Sequence, residues 1–90
     1  MTREIITREI IKVFREEFEI IDPGMDDNLK DKYEFDSIDA IALLEYMEKM
    51  IGSPLTQEEK KQMLEIRTIN QICDYIEEMT EKKKININLR

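Results

Sequence analysis

The Asp36-Ser37-Ile38 segment places an aliphatic hydroxyl directly behind a carboxylate, at a point where an apolar helical pattern begins. Other chemistry is mostly excluded by residue type. The chain has no histidine, so histidine-based triads are absent. Cys73 is the only cysteine, which rules out an internal disulfide and, without histidine, a Cys/His zinc site. Cys73 also falls on an apolar stripe and is expected to be a buried structural thiol. The carboxylates of residues 22–34 lack the Asp-x-Asp-x-Asn-Gly order of a calcium loop, and Gly24 stands in the wrong place for one. They are expected to form a solvated, repulsive surface. Acidic pairs such as Glu16-Glu17 and Glu77-Glu78 suggest no cleft, so glycosidase chemistry is not indicated. Six methionines are expected to be mainly core filler. Taken alone, Ser37 is an ordinary first-turn serine behind an Asp36 cap, with Asp39 on the positive end of the helix dipole.

Four helical segments are expected to position this serine. The first runs from about Thr2 to Glu19, with Ile6, Ile10, Val13, Phe14 and Phe18 at helical spacing. Asp22-Pro23-Gly24 breaks it, and a long loop of residues 20–35 follows, anchored by Leu29 and Tyr33. The second starts after Asp36 and stops near Gly52-Ser53-Pro54. Thr56-Gln57-Glu58-Glu59 is a capping box opening a short third helix to about Leu64. Thr68-Ile69-Asn70-Gln71 opens the fourth, with Ile69, Ile72, Cys73, Ile76 and Met79 facing inward. The expected architecture is all-α, a small four-helix bundle with a long loop between the first two helices. Residues 1–79 form the domain, and residues 80–90 form a basic, frayed tail, in which Ile85, Ile87 and Leu89 alternate only weakly.

Composition narrows the partners. Ninety residues make one domain that buries roughly 60–65% of its unfolded surface. Lys82, Lys83, Lys84 and Arg90 lie after the last acid, so residues 1–81 set 10 basic residues against 21 acidic ones, a net −11. Such a field repels nucleic acid and steers toward basic surfaces. Apolar runs are too short to span a membrane and no signal peptide is read at the start, so a cytoplasmic, soluble monomer is expected.

The second helix is two-sided. Ala40, Leu43, Leu44, Met47, Met50 and Ile51 make a core stripe, while Ile38 and Ile41 stand on the other side among Asp39, Glu45 and Glu48. Single exposed apolar residues are common. Two of them one turn apart, ringed by acids beside the helix start, are expected to form a docking surface.

The run Leu29-Lys30-Asp31-Lys32-Tyr33-Glu34-Phe35-Asp36-Ser37-Ile38-Asp39 resembles the segment around the modified serine in acyl carrier proteins. The acidic second helix, the short third helix and Thr68-Ile69…Cys73-Asp74-Tyr75-Ile76 continue that resemblance over roughly residues 4–77. The family's usual Leu-Gly pair before the motif is replaced here by Tyr33-Glu34.

The resemblance implies a 4'-phosphopantetheine arm attached to Ser37 from coenzyme A, with Asp36 offering an oxygen to the magnesium that the modifying enzyme needs. Backbone N–H groups at the helix start are expected to receive the phosphate. The chain would do no catalysis. It would present acyl thioesters, in fatty acid, polyketide or related biosynthesis, to a phosphopantetheinyl transferase and to acyl-loading, condensing or transferring enzymes. Ile38, Asp39, Ile41, Glu45 and Glu48 would meet their basic docking patches, and no metal would reside in the carrier. Ala42 and Lys49, where many carriers place acids, imply a specialised partner set. The competing expectation is an unmodified acidic helical adaptor docking a basic partner.

Overall fold

In a computed structural model, the described backbone covers residues 2–88 and the described side chains residues 2–83. Five helices follow in order, α1 (Arg3–Phe18), α2 (Leu29–Tyr33), α3 (Ser37–Ile51), α4 (Gln57–Met63) and α5 (Ile69–Asn88), with no strand among the described residues.

Local chemistry sets the ends of these helices. Thr2 Oγ1 accepts from Ile5 N at 3.3 Å to open α1, and Glu19 closes it in the left-handed region at φ 56°. Gly52 closes α3 at φ 79°, a conformation that costs glycine nothing. Reciprocal capping boxes open α4 (Thr56 with Glu59) and α5 (Thr68 with Gln71). Both boxes stand where the sequence places them.

The core lies between α1, α3 and α5. Ile6, Ile10 and Phe14 pack against Leu43, Met47, Ile72, Cys73, Ile76 and Met79, each at most 1% exposed. Met50 and Ile51, expected on the same stripe, are only half-buried at its edge. Arg3 ties α1 to α5, donating to Asp74 at 2.5 Å, to Glu77, and to Asn70 O at 3.1 Å. The two carboxylate pairs are largely exposed and contribute about 1 kcal/mol or less each.

The expected bare loop is in fact partly helical. Asn28 Oδ1 accepts from Asp31 N at 3.0 Å, and Glu34 at φ 57° closes the single turn-and-a-half of α2. Nor are the loop carboxylates merely solvated. Asp27 Oδ2 accepts from Gly24 N at 2.8 Å, Tyr33 Oη at 2.9 Å and Lys32 Nζ at 3.1 Å. A Cβ on Gly24 would stand 2.8 Å from that carboxylate. The loop is stapled to the start of α5 by Asn70 N to Met25 O (3.0 Å) and Asn70 Nδ2 to Asp26 Oδ1 (2.7 Å), and to the turn before α5 by Leu29 N to Arg67 O (2.8 Å).

The last helix also differs from expectation. α5 passes through residues 79 and 80 without a break and continues to Asn88. Lys and Glu are good helix formers, and Lys82 and Lys83 both reach the buried Glu59. The side chains of Ile85, Ile87 and Leu89 lie outside the described residues. Among those described, no helix is long and apolar enough to cross a membrane.

Candidate functional site

Ser37 is the first residue of α3 and is exposed. Its place is set from behind by Phe35, which is 7% exposed and closes a trio of rings with Phe14 and Phe18 at centroid distances of 5.0 and 5.2 Å. Phe35 N also donates to Leu29 O at 3.2 Å. Two residues later the chain must leave the core, and the Ser37 hydroxyl is presented on a rigid helix end rather than on a loop.

Asp36 caps α3 as the sequence indicates, but its action removes part of the expected anion site. Asp36 Oδ1 accepts from both Ile38 N and Asp39 N at 3.1 Å, and Asp36 N donates to Asp39 Oδ2 at 3.3 Å. Two of the first-turn amides expected to receive a phosphate are therefore already occupied by a carboxylate. Asp36 Oδ2 has no protein partner among the described residues, so an oxygen remains for a metal brought by another protein. Those residues contain no cluster of His, Cys, Asp or Glu suited to holding a metal.

A groove of about 160 Å³ opens beside Ser37, between the start of α3, α2 and the turn joining α4 to α5. Its apolar walls are Phe35, Ala40, Leu64 and Ile66, and its two cations are Lys30 and Arg67. Arg67 Nη1 is fixed by Leu64 O at 2.9 Å and Ile66 O at 3.2 Å. The main-chain bond from Leu29 N to Arg67 O holds the two basic residues on neighbouring segments. Sequence reasoning passed over both, because they lie 37 positions apart and on no common helix.

The five residues expected on the docking face divide into two groups. Ile38 and Ile41 are 75% and 56% exposed, and Glu45 is exposed beside them. Asp39 and Glu48 are half-buried and engaged internally: Asp39 in the capping box, Glu48 through Oε2, which accepts from Leu55 N at 2.7 Å. A groove of about 390 Å³ runs between α3 and α4, with Ile41, Leu44 and Leu64 as its apolar part and Glu45, Glu48, Lys60 and Lys61 on its rim. The two lysines bring a basic edge to a face that the sequence reads as mainly acidic, with Lys49 as its cation.

Cys73 is buried, 3.6 Å from Thr7 Oγ1. Burial pushes its thiol above the usual range, which disfavours the thiolate form that would act as a nucleophile.

Residues 8–76, most of the chain, match the family described as "phosphopantetheine attachment site". No curated protein and no solved structure matches the chain significantly.

Proposed function

Because the chain belongs to the phosphopantetheine attachment-site family, we propose that Ser37 is its attachment residue and that it is an acyl carrier protein. Its cargo would be thioester-linked acyl intermediates of fatty acid, polyketide or related biosynthesis. Domains of this family carry a covalent 4'-phosphopantetheine and are not enzymes themselves. The arm supplies a terminal thiol for thioester formation and raises the local concentration of cargo at partner active sites.

The chain's own residues position that arm. The carrying observation is the exposed Ser37 hydroxyl, fixed at the start of α3 by the Phe35 anchor and the Asp36 cap. During attachment Ser37 Oγ would bond to the phosphorus next to the pantetheine part of coenzyme A as that phosphorus loses its pyrophosphate P–O bond. Adenosine 3',5'-bisphosphate leaves, and the serine proton passes to a base of the transferase. Asp36 Oδ2, which has no protein partner among the described residues, would offer a hard oxygen ligand to the transferase's magnesium during that transfer. Ile38, Ile41 and Glu45 form the surface that meets basic patches on partner enzymes, in the cytoplasm and with the carrier as a monomer.

Intact mass after incubation with coenzyme A, magnesium and a phosphopantetheinyl transferase tests this reading. One added phosphopantetheine is expected, and none with Ser37→Ala. Modification that persists in Ser37→Ala, or no modification by several transferases, removes the claim and leaves the unmodified acidic adaptor.

A further inference from the structure

The position that would hold the arm's phosphate is electrostatically unfavourable in one respect. Ser37 stands between the carboxylates of Asp36 and Asp39, and Asp36 has taken the N–H groups of Ile38 and Asp39. A phosphodiester on Ser37 Oγ would add a negative charge beside two others in an acidic domain, with little of the helix end left to receive it. The compensating charge lies across the neighbouring groove. Lys30 is exposed and makes no ion pair among the described residues. Arg67 spends Nη1 on two carbonyl oxygens, which leaves Nη2 and Nε without protein partners there.

Resting on the Ser37 attachment proposed above, we infer that Lys30 and Arg67 form a phosphodiester clamp that binds the arm's phosphate and lays the first part of the arm along Leu64 and Ile66. A guanidinium pinned on one edge offers its remaining N–H groups in a fixed direction, which suits a two-oxygen acceptor. Lys30 adds a movable point charge. The apolar wall beyond them matches the branched hydrocarbon part of the arm that follows its phosphate. The clamp would set the direction in which the arm leaves the protein, toward the α4 side, where the α3–α4 groove also opens.

The test is NMR on the holo protein, preceded by its intact mass. The 31P resonance of the folded holo protein is expected to stand apart from that of the same protein in urea. Lys30→Ala should move it back toward the urea position, Lys30→Arg should restore it, and Arg67→Gln should move it further than Lys30→Ala. Cross-relaxation from the arm's geminal methyl groups to the Leu64 and Ile66 methyls should be present in the wild type and lost in Lys30→Ala. Lys30→Ala removes an exposed side chain and should leave melting unchanged. A mass gain with the 31P line and methyl contacts unaltered by Lys30→Ala overturns the clamp alone. No mass gain in the wild type overturns the attachment and the clamp together.

Discussion

Lys83 Nζ stands 2.7 Å from Oε1 of Glu59, a residue 24 positions earlier that is 3% exposed. Glu59 already serves α4 from within, its Oε1 accepting from Thr56 N at 2.8 Å. Lys82 meets Oε2 at 3.1 Å, and Tyr75 Oη donates to Glu59 O at 2.5 Å. The short α4, too brief to be stable alone, is thus held by the far end of α5. Removing Lys83 would leave the buried Glu59 with one cation, Lys82, and the Thr56 amide, so its carboxylate would be under-satisfied rather than unpaired. Lys83→Ala should therefore cost about 1–3 kcal/mol in urea unfolding. Lys82→Ala, at an exposed position, should cost about 1 kcal/mol or less. Equal effects would mean that α5 does not clamp α4.

The same carboxylate gives a pH signature. Burial pushes the Glu59 pKa up, but hydrogen bonds from Lys83, the Thr56 amide and Lys82 outweigh it and hold the value at about 2, below the ordinary 4.5. A depressed carboxylate stabilises the fold fully above its unfolded value. That contribution, at most about 3 kcal/mol, disappears as pH falls from about 4.5 to about 2. Stability measured across that window should fall less steeply in Glu59→Gln, which begins lower. Parallel curves for the two proteins would remove Glu59 from the acid transition.

Glu34 occupies the left-handed region at φ 57°, where a glycine would be unstrained. Glu34→Gly places at this position the glycine that the carrier resemblance leads one to expect, and keeps the backbone shape. It should leave the melting temperature unchanged or slightly raised, and should speed modification by a general transferase. A slower rate would mean that the Glu34 side chain itself is recognised.

On the proposed docking face the internal bond of Glu48 changes which variants are informative. Glu45→Lys should slow association with a basic partner at low salt without affecting folding. Glu48→Lys should in addition destabilise the α3–α4 turn by about 1 kcal/mol, because Leu55 N loses its acceptor. Ile41→Ala should speed dissociation and leave folding intact. Leu43→Ala, at a position with no exposure, should cost about 2–5 kcal/mol. Thermal melting beside acyl transfer to a partner enzyme separates these outcomes; unfolding by Ile41→Ala would place that residue in the core.

Self-repulsion at −11 over residues 1–81 should be relieved by salt, which screens exposed charges over about 10 Å at 0.1 M. The melting temperature should rise with sodium chloride and further with magnesium. A flat response would mean that pairs such as Asp27–Lys32 and Arg3–Asp74 already balance the acids.

Much of this protein follows from local rules that a single strand of sequence carries. Asp36, Thr56 and Thr68 mark helix starts because a cap acts on amides two or three residues away, and Ser37 is exposed because it follows such a cap. The two-sidedness of α3, with Leu43 inside and Ile41 outside, follows from a period of 3.6. Tertiary structure decided what depends on separation. Glu59 meets Lys83, Arg67 meets Leu29 at the start of α2, and Asn70 meets Asp26 only because the bundle brings those segments together. Charged residues of this kind look alike in sequence, whether solvated or paired. Packing assigns each its partner, and so turned an apparent tail into a clamp and two unremarked cations into the neighbours of Ser37.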